Sequence, residues 1–182
     1  MFKGKKILIY TVILAVFVAL AFAALKFVPV LSVEGKKVNY SKFLKIKNAL
    51  DQSFSISKSS TSEDLNAVAM MNLVEQEFLD ILIDNVDRNL VMKAQGLVEE
   101  AIQKTPNLSL NEASEKLYGL NSEDFKQLVL LPQAKRDILE NYFKEKNRDI
   151  LQSWASLYGT ASVKVYYPGY YWDTTEYIIK KK

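Results

Sequence analysis

Residues 64–95 read DLNAVAMMNLVEQEFLDILIDNVDRNLVMKAQ, a run without glycine or proline. Met71, Val74, Phe78, Leu82, Val86, Leu90 and Ala94 recur in it at spacings of three or four, which puts them on one face of an α-helix. The stretch therefore predicts one long central helix, closed by Gly96 at a C′-type position. A helix with so continuous an apolar stripe must be covered by other elements. The chain is expected to be mainly α.

Towards the C-terminus, a helix over 98–104 is expected to stop before Pro106, and Ser109 with Glu112 three residues on forms a capping-box pattern for a helix reaching Tyr118. Gly119 ends it. Asn121-Ser122-Glu123-Asp124 offers a cap and two acids to a further helix, which Pro132 should kink. Beyond the kink Ile138, Leu139, Tyr142, Phe143, Ile150, Trp154 and Leu157 continue a helical stripe to Tyr158, with Gly159 at its end. Ser162 to Tyr166 alternates as a short strand does. Towards the N-terminus, Val30 to Val33, the turn pair Glu34-Gly35, and Lys37-Val38 predict a hairpin. Asn39 or Ser41 can cap a helix carrying Phe43, Leu44, Ile46 and Leu50 and ending near Phe54. The serine-rich residues 53–62 are expected to form a mobile loop. A lone strand leaves backbone groups unpaired, so residues near 30–38 and 162–166 are expected to share one small sheet.

Ile7 to Leu25 carries no charged side chain. As a helix it would be about as long as the ~30 Å hydrocarbon core of a bilayer is thick. Lys3, Lys5 and Lys6 precede it without an acid, which keeps the N-terminus cytoplasmic and sends the rest across. The expected organisation is a basic tail (1–6), a transmembrane signal-anchor (7–28), a helical extracytoplasmic domain (30–166) and an aromatic and basic C-terminal tail (167–182) whose lysines Lys180 to Lys182 fray or, as the alternative, touch anionic lipid or wall polymer. Ala21-Phe22-Ala23 also has the small-x-small form that signal peptidase accepts, so cleavage after Ala23 is the rival reading. The uncharged run exceeds a signal core of roughly 7–15 residues, and Lys26 follows it as an interfacial anchor; both favour retention in the cytoplasmic membrane as a single pass. The 24 basic residues less the three leading lysines equal the 21 acidic ones. A domain so balanced lacks the cationic excess that nucleic-acid binding needs.

The phrases Val33-Glu34-Gly35-Lys36-Lys37-Val38, Leu82-Ile83-Asp84-Asn85 … Leu90-Val91-Met92-Lys93-Ala94-Gln95-Gly96-Leu97, and Leu117-Tyr118-Gly119-Leu120-Asn121-Ser122-Glu123-Asp124-Phe125-Lys126 stand in that order. Together they resemble the N-terminal domain of SurA-like and PrsA-like foldases, over roughly residues 30–160. The resemblance implies a helical domain of a bacterial cell envelope that binds unfolded or exported polypeptides outside the cytoplasmic membrane. Many of these proteins also carry a parvulin-type prolyl isomerase domain. Here the last expected helix runs directly into Val163, and the sequence has neither His nor a Gly-Gly pair, so no isomerase activity is expected.

With His and Cys both absent, the commonest general base, the thiol nucleophile and the usual zinc ligands are missing. No catalytic residue, metal site or cofactor is expected. Glu75 with Glu77, and Glu99 with Glu100, read as solvated helix faces, since near neighbours on a helix point to different azimuths. Two groups remain as candidates for binding a polypeptide. Met70, Met71, Phe78 and Met92 lie on the central helix, where thioethers either line an adaptable groove or fill the core. Tyr167, Tyr170, Tyr171 and Trp172 belong to a run of five aromatics in seven residues, Tyr166 to Trp172. They serve as a contact patch, as an aromatic band at the lipid interface, or as cover for the small sheet. The expected function is a membrane-anchored, non-catalytic chaperone-like domain; the alternative is a structural adaptor docking one cell-envelope protein.

Overall fold

The computed structural model describes residues 27–57, 64–104 and 110–182. The protein is mainly helical, with two small antiparallel sheets. The expected span over 7–28 and the cleavage position after Ala23 lie outside the described residues, apart from Phe27 and Val28, which form a turn and a bend. No helix among the described residues is long and apolar enough to cross a membrane.

Strands β1 (Pro29–Val33) and β2 (Lys36–Asn39) form the expected hairpin. Its turn residues Glu34 and Gly35 both have positive φ, 50° and 79°, as a type I′ turn requires. Glu34 tolerates this conformation because both its backbone and its carboxylate are engaged. Its N–H donates to the Ser162 carbonyl at 2.9 Å, and its Oε1 accepts from the Ser162 N–H at 2.5 Å. That clasp aligns β3 (Val163–Val165) against β1, so the sheet order β2-β1-β3 joins the two ends of the domain as expected.

Helix α1 (Tyr40–Ser57) runs three residues past its expected end. Ser55 and Ser57 turn their hydroxyls back onto the carbonyls of Asp51 and Phe54, local bonds that the last turn of a helix accommodates. Of the expected loop over 53–62, residues 53–57 belong to α1 and residues 58–62 lie outside the described residues.

The long central helix is two helices. α2 (Leu65–Val86) ends at Asp87 and α3 (Asn89–Lys104) begins two residues later. Asp87 serves both: its N–H donates to the Ile83 carbonyl, and its Oδ1 accepts from the Asn89 N–H at 2.9 Å. The apolar stripe survives the break because Leu82 and Leu90 enter the same core cluster. Gly96 and residues 98–104 fall inside α3, whose Leu90, Ala94 and Val98 face continues past the glycine.

α4 (Leu110–Tyr118) ends at Gly119, whose φ of +63° favours glycine. A side chain at Gly119 would also press on Gln52, whose Nε2 donates to the Glu115 and Lys116 carbonyls at 2.8 Å each. Gln52 thus satisfies α4's last carbonyls from a neighbouring helix. The Ser109 cap lies outside the described residues. Asn121 caps α5 (Ser122–Phe125) as expected, accepting from the Asp124 N–H at 2.8 Å. A π-helical turn (Lys126–Leu130) then leads into α6 (Leu131–Glu145), with Pro132 in its first turn. Asn147, at φ 52°, separates α6 from α7 (Ile150–Thr160), so the expected single helix is again two. Gly159 sits in the last turn of α7 and does not end it.

The expected tail 167–182 is a second hairpin, β4 (Tyr170–Asp173) and β5 (Ile178–Lys181). Asp173 Oδ1 accepts from the Thr175 and Glu176 N–H groups, closing the turn. Lys180 pairs with Asp173 at 2.8 Å and with Glu176 at 2.5 Å rather than fraying. The Lys180 ammonium holds the Asp173 carboxyl down at about 2.

Two apolar clusters make the core. One gathers β1, α1, the first half of α2 and the second hairpin around Leu31, Phe43, Met70, Leu73 and Phe78; the other gathers Leu79, Leu82, Ile83, Leu90, Leu139 and Phe143. Trp154 and Leu157 of α7 pack against both.

Candidate functional site

Of the expected polypeptide-binding residues, Met70 and Phe78 have no accessible surface and belong to the core. Met71 is half-buried against the same cluster, and Met92 is 65% exposed on α3, beyond the helix break. The four therefore do not converge on one groove. α2 is enclosed by the sheet, α1 and α6, and the spacing that looks like a groove is the packing face of a buried helix.

The aromatic run divides by strand alternation. Tyr167 stacks on Tyr40 with centroids 6.2 Å apart and tilts against Phe43 at 5.1 Å. Tyr170 is buried; its hydroxyl donates to Asp64 Oδ2 at 2.5 Å and accepts from Asn66 Nδ2 at 3.1 Å. Trp172 meets Phe78 edge-on and stacks on Tyr158. Tyr171 faces out with Tyr177 and Ile178. Most of the run thus covers the sheet and the start of α2, leaving one outward edge.

A cleft that none of these candidates lines runs along the seam between α1, α2 and the chain from Tyr118 to α6. Its volume is about 390 Å³. Ile46, Ala49 and Leu50 of α1, Leu79 of α2, and Leu120, Leu128, Val129 and Pro132 on the far side give it apolar walls. Asn72, Gln76, Glu75 and Arg136 add polar groups. Pro132 has no N–H to offer the Leu128 carbonyl, so the helical ladder is broken there. Leu131 N–H bonds instead to the Lys126 carbonyl, five residues back, while Gln76 Nε2 reaches the Leu128 carbonyl at 3.5 Å. A π-turn of this kind is a recurrent feature of functional sites, and here it sets the cleft wall.

Polar ties bridge the seam. Lys45 meets Asp124 at 2.6 Å, Arg136 meets Glu75 at 3.3 Å, and Lys135 meets Asp80 at 2.6 Å. Burial, with the Glu75 charge added, pushes the Tyr158 phenol up to about 12. Beneath the Gln76–Leu128 contact a second cavity of about 350 Å³ is lined by Lys42, Asp80, Gln127 and Lys135. Buried Glu77 lies 2.6 Å from Lys36 and 3.8 Å from Lys42. Burial opposes the Lys36 ammonium, but Glu77 and Asp80 outweigh it and hold its pKa above the lysine range; burial pushes Lys42 below that range against the same carboxylates. Glu75 and Glu77 thus serve separate ion pairs. Glu99 meets Lys126 at 3.4 Å and Glu100 meets Lys104 at 2.5 Å. Among the described residues, no group of three acidic side chains is placed to hold a metal ion.

The cleft residues Leu50, Leu79, Leu128 and Arg136 are not among the sequence candidates. The available signal was Leu128-Val129-Leu130-Leu131-Pro132, a strongly apolar run at a helix interruption. No family model, curated protein or solved structure matches the chain.

Proposed function

We propose that the protein is a membrane-anchored, extracytoplasmic chaperone-like domain that holds apolar segments of unfolded or exported polypeptides without covalent chemistry. One observation carries this reading: the apolar cleft along the α1–α2–α6 seam. Its volume suits one or two client side chains, and the polar groups beside those walls can satisfy a client backbone. The uncharged segment Ile7–Leu25 and the SurA-like phrases support the same assignment.

The test is suppression of aggregation of a denatured exported protein by the full-length chain in detergent micelles. Protection should appear at a few-fold molar excess and be lost in Leu50→Lys, which puts a charge on the cleft wall; circular dichroism confirms that the variant folds. Absence of protection by the wild type would overturn the reading. A second reading, an adaptor docking one envelope protein, is favoured by the outward Tyr171, Tyr177 and Ile178 on the second hairpin. Cross-linking from Tyr171 separates the two: one reproducible partner supports the adaptor, many unrelated ones the chaperone.

A further inference from the structure

The chain enters the described structure at Phe27, two residues after the uncharged run Ile7–Leu25 and directly after Lys26. On the anchored reading, on which this inference rests, the first described residues lie at the bilayer surface. Their side chains are bare: Phe27 is 81% exposed and Val28 47%. They adjoin a shallow cleft of about 400 Å³ lined by Val28, Pro29, Tyr40, Tyr166, Tyr167 and Pro168, with no Lys, Arg, Asp or Glu in its walls.

Backbone bonds hold this face together from both ends of the domain. Tyr40 N–H donates to the Val28 carbonyl at 2.8 Å, and the Tyr166 and Tyr167 N–H groups both donate to the Val30 carbonyl, at 2.9 and 3.1 Å. Tyr166 is 47% exposed, and its hydroxyl lies 3.2 Å from Ser32 Oγ.

A second observation supplies charge. Lys182 N–H donates to the Gly169 carbonyl at 2.8 Å, which places the exposed Lys182 beside Gly169 at the edge of this face. An uncharged surface of tyrosine, proline and aliphatic groups with a lysine at its border is the composition of a lipid interface, where amphipathic rings sit at headgroup depth and cations meet anionic lipid.

We propose that the Phe27–Val28–Tyr166–Pro168 face is an interfacial collar that rests on an anionic phospholipid surface and fixes the domain's orientation on its anchor. The polypeptide-binding cleft is a separate surface, so collar and cleft stand or fall independently.

The sequence has no cysteine, so Tyr166→Cys and Met92→Cys each give a single labelling position. The full-length chain carrying an environment-sensitive fluorophore at one position is reconstituted into vesicles of phosphatidylglycerol and phosphatidylcholine. Brominated acyl chains should quench the label at position 166 several-fold more than the label at position 92. Lys182→Glu should weaken that quenching on phosphatidylglycerol vesicles and leave it unchanged on phosphatidylcholine alone. Equal quenching at the two positions in co-floating protein overturns the collar and leaves the anchor standing. A label at 166 that is shielded from aqueous quencher yet untouched by brominated lipid means that protein covers the face, and also overturns it. Failure of the chain to co-float with vesicles removes the anchor and the collar together.

Discussion

Tyr170 shows how much one side chain of the aromatic run does for the fold. Its buried hydroxyl joins the second hairpin to the N-cap of α2: it donates to Asp64, whose other carboxylate oxygen accepts from the Asn66 N–H at 2.9 Å. Tyr170→Phe removes a hydrogen bond to a charged group and leaves Asp64 less well satisfied, so it should cost about 1–2 kcal/mol. A lower urea midpoint at unchanged m-value would show this. The bond has a pH signature. The Tyr170 hydroxyl, with the backbone N–H groups of Asn66 and Ala67, holds the Asp64 carboxyl below the ordinary aspartate value. A carboxyl whose folded pKa is depressed contributes stability that is complete above the unfolded value of about 3.9 and is lost as pH falls through the folded one. The wild type should therefore lose stability more steeply than Tyr170→Phe below about pH 4. Acid titrations that fall with the same slope in the two proteins would overturn the assignment of Tyr170 as the main cause.

At the scale of elements, Asp87 decides where the central helix breaks. Its carboxylate caps α3, so Asp87→Ala should cost about 1 kcal/mol. It should not fuse α2 and α3, because Leu90 is already anchored in the cluster with Leu139 and Phe143; a crystal structure of the variant showing one continuous helix would contradict this. The break also explains what the sequence could and could not convey. Periodicity reports which residues face the core, and it did so correctly for Phe78, Leu82 and Leu90. It is silent on whether the backbone between them is continuous, since a capping aspartate can interrupt the ladder without shifting the stripe. The Glu34-Gly35 hairpin, the Asn121 cap and the β1–β3 pairing were legible because each depends on local turn chemistry or on the need of a strand for a partner. The second hairpin was not, because Tyr166 to Trp172 reads as a contact patch until Asp173-Thr174-Thr175 is taken as a turn and Ile178-Ile179 as its return strand. The cleft was less legible still. Its walls come from elements far apart in the chain, and no single segment carries its pattern.

For the whole molecule, the two core clusters meet on α7, and Trp154 touches both. Trp154→Ala should cost about 2–3 kcal/mol, less than a fully buried tryptophan would. It should also loosen the coupling between the halves: Trp172 fluorescence, which then reports on the sheet side alone, should no longer coincide with far-ultraviolet circular dichroism in urea. The same division bears on how the cleft admits a polypeptide. Its near wall is α1 and α2, and α2 alone buries Leu73, Val74, Phe78, Leu79, Leu82 and Ile83. Its far wall runs from Tyr118 to Arg136; the segment 110–130 that carries the first part of it has only Ser114 and Leu120 buried and is tied across the seam by polar bonds from Lys45, Gln52 and Gln76. A wall with so little buried apolar surface opens at lower free energy than the helix facing it. Amides of residues 110–130 should therefore exchange with deuterated solvent about a hundredfold faster than those of 73–83. Adding an unfolded client should slow exchange in 110–130 first, because a segment seated against Leu50 and Leu79 supplies the apolar cover that wall lacks. If 110–130 were instead as strongly protected as α2 without client, the cleft would be a rigid slot selecting side chains by shape, and the range of clients in the aggregation assay should narrow accordingly.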